Sequence, residues 1–133
     1  MQTTYLFILL FGLFSSRSKE AESKLNWEKI TDTNRVDALI ASDTPVLFFK
    51  NSSRCGISVS ALSRLEEEWN IPEGDCHLAF IDVLQDRSIS NYLSEKTGIH
   101  HHSPQAILMI NGKVAYEKTH GRIRAKDIEE VMG

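Results

Sequence analysis

The feature that most constrains the fold is a run of four consecutive apolar residues, Val46-Leu47-Phe48-Phe49, in a chain of 133 residues. Consecutive rather than alternating apolar positions are typical of a strand that is buried on both faces. A second run of this kind, Leu78-Ala79-Phe80-Ile81, follows after a stretch with helical spacing. Two buried strands separated by a helix predict parallel neighbours in a sheet with helices packed on both faces.

The first half of the chain supplies the elements around these strands. Residues 25–30 predict a short edge strand, and Asp32 or Thr33 can cap the helix that follows. A longer helix is predicted from Cys55 to about Trp69. Its apolar positions, which share one face at helical spacing, are Ile57, Ala61, Leu62, Leu65 and Trp69.

The second half predicts a helix from Ser88 or Ile89 to Thr97 and a strand over residues 106–110. Asn111-Gly112 is a strong hairpin signal, so residues 113–117 should return antiparallel before a last helix near Ala125. The order β-α-β-α-β-α-β-β-α is that of the thioredoxin fold. It predicts a three-layer α/β domain whose central mixed sheet has parallel strands and a carboxyl-terminal antiparallel hairpin.

Three parts are predicted along the chain: an apolar segment at residues 1–14, a polar linker at residues 15–25 and a thioredoxin-like domain at residues 26–133. As a helix, the apolar run 5–14 would rise about 15 Å, roughly half the thickness of a bilayer core. It has the length of a signal-peptide core but no basic residue before it. A weak signal, contact with a membrane interface, a wrongly chosen start codon and a mobile extension all stay open.

Composition narrows the function classes. The formal charge is −3, with acidic and basic residues interleaved, so no nucleic-acid partner is expected. The two cysteines, Cys55 and Cys76, are too few for a disulfide-stapled secreted scaffold or a four-cysteine zinc site. We therefore expect a cytoplasmic protein with reduced thiols and no bound metal or other cofactor.

Cys55 is predicted to be the reactive group because it lies between a buried strand and the start of a long helix. The nucleophile in disulfide exchange is the thiolate. The unpaired N–H groups of Gly56, Ile57 and Ser58, together with the helix dipole, would stabilise that anion. Arg54 adds a positive charge next to it. The alternative, in which Cys55 is only a small buried apolar residue, fits the polar segment before it less well.

A single cysteine should carry the chemistry. Gly56 leaves the approach to the sulfur open, and Ser58 stands where two-cysteine oxidoreductases have their resolving cysteine. Cys76 lies beyond a helix of about 21 Å, whereas a disulfide needs Cα atoms within about 7 Å. Cys76 is therefore predicted to be structural, and an external thiol must resolve a mixed disulfide on Cys55.

Ser103-Pro104 is the second element of the predicted site. In this fold a cis-proline loop faces the active cysteine, and the alternative is an ordinary trans proline that opens a strand. The preceding His100-His101-His102 could bind a metal or tune the thiolate, but a solvated loop is the favoured interpretation. No partner for His120 can be identified from the sequence.

From about Asn26 to Val131 the chain resembles the monothiol bacilliredoxins. The matching stretches are residues 50–58, residues 82–87 with Ser90-Asn91, and residues 103–108. The family usually reads Thr-Cys-Pro-Ile-Ser at its active site, whereas this chain reads Arg54-Cys55-Gly56-Ile57-Ser58. The apolar run 5–14 lies outside the resemblance, so contact with a membrane through it stays an open question.

The resemblance implies a thiol–disulfide oxidoreductase that removes bacillithiol from S-bacillithiolated client proteins. Cys55 would be catalytic, bacillithiol would be the low-molecular-weight co-substrate, and a low-molecular-weight thiol or a reductase would recycle the protein. Six further residues are implied in stabilising the thiolate or lining the substrate groove: Arg54, Gly56, Ile57, Ser58, Ser103 and Pro104.

Two alternatives remain. Cys-Gly-Ile-Ser differs by one residue from the Cys-Gly-Phe-Ser of monothiol glutaredoxins, which bind glutathione and iron–sulfur clusters. The segment after Ser103-Pro104 lacks the glycine-pair and aspartate pattern with which glutaredoxins hold glutathione. The other alternative is a non-enzymatic thioredoxin-fold adaptor that binds a partner peptide in the same groove.

Overall fold

A computed structural model of the protein describes Ser23 and residues 25–133. Its helices and strands follow one another in the predicted order. The predicted apolar segment 1–14 and most of the linker 15–25 lie outside the described residues. No helix in the described part is both long and apolar enough to span a bilayer. The elements are β1 (Glu28–Lys29), α1 (Thr33–Ile40), β2 (Val46–Asn51), α2 (Gly56–Glu68), β3 (His77–Asp82), α3 (Arg87–Thr97), β4 (Gln105–Ile110), β5 (Lys113–Thr119), a 3-10 turn (His120–Arg122) and α4 (Ala125–Met132).

The five strands form one mixed sheet in the order β1-β3-β2-β4-β5. β1, β3 and β2 run parallel, whereas β4 is antiparallel to β2 and β5 is antiparallel to β4. Every residue of β2 is buried. The prediction that the first apolar run forms a central strand is therefore confirmed. Cys55 comes four residues after the carboxyl end of that strand.

Helices cover both faces of the sheet because successive side chains of β2 point to opposite sides. Leu47 and Phe49 belong to the core cluster shared with α2 and α4. Val46 and Phe48 belong to the second cluster, shared with α1 and α3. This is the predicted three-layer thioredoxin-like arrangement.

Local signals in the sequence account for several element ends. Asp32 caps α1 by accepting a hydrogen bond from the backbone N–H of Arg35 at 2.9 Å. Gly98 ends α3 in the left-handed conformation, with φ 75°. Asn111 and Gly112 have φ of 53° and 78°, the two positive values that a type I′ hairpin turn requires.

Two sequence predictions need correction. β1 covers only Glu28–Lys29 rather than residues 25–30, because the backbone N–H of Trp27 donates locally to the carbonyl of Leu25 at 3.1 Å and not to β3. The spacing predicts Ile57 on the buried stripe of α2, but the structure shows this side chain 57% exposed. The buried face carries Ser58 and Leu65 instead. At about 100° per residue, Ile57 lies about 80° round the helix from Leu65, whereas Ser58 lies within about 20° of it.

Candidate active site around Cys55

Cys55 is the residue from which α2 starts. Its backbone is extended, its N–H donates to the carbonyl of Ser52 at 3.0 Å, and its own carbonyl accepts from Val59 at 3.1 Å. The thiol is free and partly exposed. Among the described residues, no acceptor bonds the backbone N–H groups of Gly56, Ile57 and Ser58. The helix end that carries Cys55 therefore holds three unpaired donors, which favour an anion there.

Ser58 joins three parts of the site. Its side chain is fully buried, and its Oγ accepts from the backbone N–H of Ser52 at 3.2 Å. The same Oγ lies 3.5 Å from Oγ of Ser103. The structure thus brings Ser58 and Ser103 together, and the hydroxyl that occupies the resolving-cysteine position holds the active-site loop against the proline loop.

The proline loop has the predicted geometry. The Ser103-Pro104 peptide bond is cis, and Pro104 is buried. The carbonyl of Pro104 accepts a hydrogen bond from the N–H of His120 at 3.2 Å. The loop is therefore fixed on one side by Ser58 and on the other by the 3-10 turn that follows β5.

A shallow groove of about 570 Å³ opens beside Cys55 between α2 and that 3-10 turn. Gly56 forms part of its wall, and a Cβ at this position would meet no atom within 4 Å. Arg64 and His120 line the groove although sequence reasoning did not find them. Arg54, the other nearby cation, is exposed. The full lining is Cys55, Gly56, Ile57, Ser60, Arg64, His120 and Gly121.

Behind the proline loop lies a buried polar cluster centred on Lys50. Its side chain is fully buried, and Nζ donates to Oγ of Ser94 at 2.9 Å and lies 3.3 Å from Nδ1 of His101. Oγ of Ser90 is 2.9 Å from the same Nδ1. Burial lowers the pKa of Lys50 to about 8. The positive charge of Arg87 lowers this pKa further, and the negative charge of Glu117 raises it.

Within the run His100-His101-His102, the side chain of His101 is only partly exposed and turns towards Lys50. Burial and the nearby Lys50 and Arg87 charges lower the pKa of His101 to about 4. His100 and His102 are exposed, as predicted. In the part of the chain that the structure describes, no group of three or more histidine, cysteine or acidic side chains is arranged to hold a metal ion.

Gln105 fixes the backbone of this loop from within the sheet. Its side chain is fully buried, and Nε2 donates to the carbonyl of His100 at 2.9 Å and to Oε2 of Glu117 at 2.8 Å. Since Gln105 immediately follows Pro104, the histidine run and the proline loop are held as one unit.

Comparison with known proteins gives the family. A family model described as monothiol bacilliredoxin BrxC matches residues 28–128. The chain belongs to this family. The matched range of this monothiol bacilliredoxin includes Cys55, the proline loop and every residue that lines the groove.

Solved structures show the same fold. A candidate oxidoreductase with a thioredoxin fold has a TM-score of 0.70 and 26% identity, covering 80% of this chain and 94% of that chain. A thioredoxin variant from Halobacterium salinarum NRC-1 has a TM-score of 0.60 and 17% identity, with coverages of 84% and 92%. The Malassezia sympodialis thioredoxin Mala s 13 has a TM-score of 0.61 and 14% identity, with coverages of 84% and 91%. This bacilliredoxin is thus a member of a thioredoxin-fold redox family.

Cys76, the second thiol of this bacilliredoxin, is part of the core. It is 8% exposed, packs in the cluster shared with α2 and α4, and comes directly before β3. Burial raises the pKa of its thiol to about 12. Because Cys76 lies beyond the carboxyl end of α2 and Cys55 precedes its amino end, the two sulfurs are separated by the length of the helix.

Proposed function

We propose that this protein removes bacillithiol from S-bacillithiolated client proteins through a mixed disulfide on Cys55. The supporting observation is the contrast between its two thiols. Cys55 is accessible at the amino end of α2, whereas Cys76 is buried in the core. A serine hydroxyl occupies the position three residues after Cys55, so the site can form a mixed disulfide but cannot close it internally.

The first step is an attack by the Cys55 thiolate on the bacillithiol sulfur of the client disulfide. The client–bacillithiol S–S bond breaks as the Cys55–bacillithiol S–S bond forms, and the client leaves as a thiolate that takes up a proton. The client is thereby reduced and Cys55 is oxidised. The donors at the start of α2 favour the attacking thiolate over the neutral thiol.

The second step needs an external thiol, because no second cysteine is within reach. A low-molecular-weight thiol or the thiol of a reductase attacks the bacillithiol sulfur and returns Cys55 to the thiolate. The resulting disulfide carries the oxidising equivalents away. We propose the cytoplasm as the site of this cycle, since both cysteines are free and disulfides persist mainly in oxidising compartments.

The substrate-facing surfaces are proposed to be the groove beside Cys55 and the proline loop. Arg54, Gly56 and Ile57 are exposed at the start of α2. Ser58 and Pro104 are buried and Ser103 is partly exposed, and the contact between the two serine hydroxyls holds the proline loop beside the active-site loop. In this proposal the first three contact the client or the small thiol, and the last three hold the site in shape.

The test is a release assay with the same client protein carrying either bacillithiol or glutathione, in the presence of a recycling thiol. Wild type should release bacillithiol faster than it releases glutathione, and Cys55→Ser should release neither above the uncatalysed rate. Cys76→Ala is the matched control and should keep the wild-type rate. Equal release by wild type and Cys55→Ser would refute the proposal, and faster release of glutathione would favour the glutaredoxin-like function.

A further inference from the structure

The groove beside Cys55 has a charged far end. Gly56, Ser60 and Arg64 recur every four residues, so they form one row along α2 that leads from Cys55 to Arg64. Arg64 is nine positions after Cys55 along α2, a rise of about 13 Å. This span suits a small thiol that is joined to Cys55 by a disulfide and lies along the groove.

The guanidinium of Arg64 is held in place before any ligand arrives. Its Nη2 donates to the carbonyl oxygens of His120 at 3.1 Å and Ile123 at 3.3 Å. Its Nε is buried and has no hydrogen-bond partner among the described residues. No carboxylate of the described part pairs with this side chain. Glu68 lies near enough for the charge of Arg64 to help lower its pKa, but its carboxylate pairs with Arg124. The Nη1 of Arg64 has no hydrogen-bond partner among the described residues, so one terminal nitrogen of a fixed guanidinium is left for a ligand.

The other groups at this end favour the same kind of ligand. His120 lines the groove opposite α2, with its ring centroid 6.4 Å from that of His102, and among the described residues that line the groove none is acidic. Anionic oxygen groups such as carboxylates accept hydrogen bonds from guanidinium and imidazole donors together. A neutral or cationic thiol would gain nothing from this arrangement.

We propose that Arg64 and His120 form an anion subsite that binds a carboxylate of the low-molecular-weight thiol while its sulfur is bonded to Cys55. This inference rests on the proposed function and extends it by assigning the chemical class of the small thiol. The subsite favours anionic thiols over neutral thiols of the same size. It acts on the mixed disulfide and not on the client, so it requires no change in the exchange chemistry.

The experiment measures the equilibrium constant for forming the Cys55 mixed disulfide with two matched probes, glutathione disulfide and the disulfide of glutathione dimethyl ester. Wild type should favour the anionic probe about tenfold, as expected for a charge-assisted hydrogen bond. Arg64→Met should abolish this preference, and Arg64→Lys should keep part of it. Arg35→Met is the matched control, because Arg35 pairs with Glu28 at 2.7 Å and neither residue lines the groove.

The ionic-strength dependence of the wild-type preference gives a second measurement in case Arg64→Met fails to fold. The preference should shrink as salt is raised from 20 mM to about 500 mM, because exposed charge interactions are screened. Equal constants for the two probes in wild type, or an undiminished preference in a folded Arg64→Met, would overturn the subsite. A preference for the anionic probe combined with no release of bacillithiol from clients would retain the subsite and refute the proposed function.

Discussion

Nζ of Lys50 lies 3.3 Å from Nδ1 of His101, at the junction of the strand that leads to Cys55 and the loop that leads to Pro104. A lysine ammonium can only donate, so Nδ1 must accept and the ring proton of neutral His101 must be on Nε2. The pKa is about 8 for Lys50 and about 4 for His101. Between pH 4 and pH 8, Lys50 is therefore protonated and positively charged while the His101 ring is neutral.

The tautomer of His101 is a direct prediction of this contact. Long-range ¹H–¹⁵N NMR spectra at pH 6–7 should show His101 as the Nε2–H tautomer, with a titration midpoint near 4. Lys50→Met should raise that midpoint, because it removes a neighbouring positive charge. A His101 that titrates at its ordinary value of 6.5 in wild type, or that is unaffected by Lys50→Met, would contradict the contact.

The same shift predicts how stability depends on pH. The pKa of His101 is 6.5 for the free side chain and about 4 in the fold, so between these values the unfolded chain binds more protons than the native protein. The free energy of unfolding should therefore rise with pH across this window, and His101 should contribute up to about 1.4 kcal/mol per pH unit. The groups that set this shift besides burial are Lys50, Arg87, His100 and His102.

Urea unfolding of wild type and His101→Gln at pH 4.5, 5.5 and 6.5 measures this contribution. The variant should show a shallower rise in unfolding free energy than wild type, because glutamine does not titrate. Parallel curves for the two proteins would show that His101 is protonated equally in the folded and unfolded states.

The fold could be predicted from the sequence because its strongest signals are local. The consecutive apolar residues of β2 and the Asn111-Gly112 turn each act within a few residues, and the structure confirms both predictions. The sequence prediction is wrong for Ile57 because each step of four residues turns the side chain about 40° further round the helix. Two such steps, from Ile57 to Leu65, move the side chain onto the face that packs against the sheet.

The parts of the site that escaped prediction depend on long-range contacts. Lys50 and His101 are 51 residues apart in the chain, and Arg64 and His120 are 56 apart. A lysine that follows four apolar residues within a strand gives no signal that it is fully buried, since lysine is almost never fully buried without a partner. Its partners become evident only once the sheet register and the packing of α3 are known.

The two thiols should differ sharply in reactivity. In the native protein at pH 8, iodoacetamide should modify Cys55, whereas Cys76 should react only after unfolding, because it is 8% exposed and burial raises its pKa to about 12. Mass spectrometry of the native protein should find one modification, and native Cys55→Ser should show none. Modification of Cys76 at a rate comparable to that of Cys55 would contradict its place in the core.

Replacing the buried hydroxyl by a thiol should change how the site is resolved. Ser58→Cys creates a Cys-x-x-Cys sequence at a helix start, the arrangement of redox-active dithiols. We expect this variant to release the bound small thiol without an external thiol and to end as an intramolecular disulfide, two mass units lighter than its reduced form. Cys55→Ser combined with Ser58→Cys is the control, and accumulation of a stable mixed disulfide on Ser58→Cys would contradict the expectation.

The most direct test of the central claim is to trap the mixed disulfide. Reduced protein is mixed with bacillithiolated client in the absence of any other thiol and analysed by intact-protein mass spectrometry and peptide mapping. The account predicts one bacillithiol adduct on Cys55 for each client released, in wild type and in Cys76→Ala alike. An adduct on Cys76, or release of client by Cys55→Ser at the wild-type rate, would contradict it.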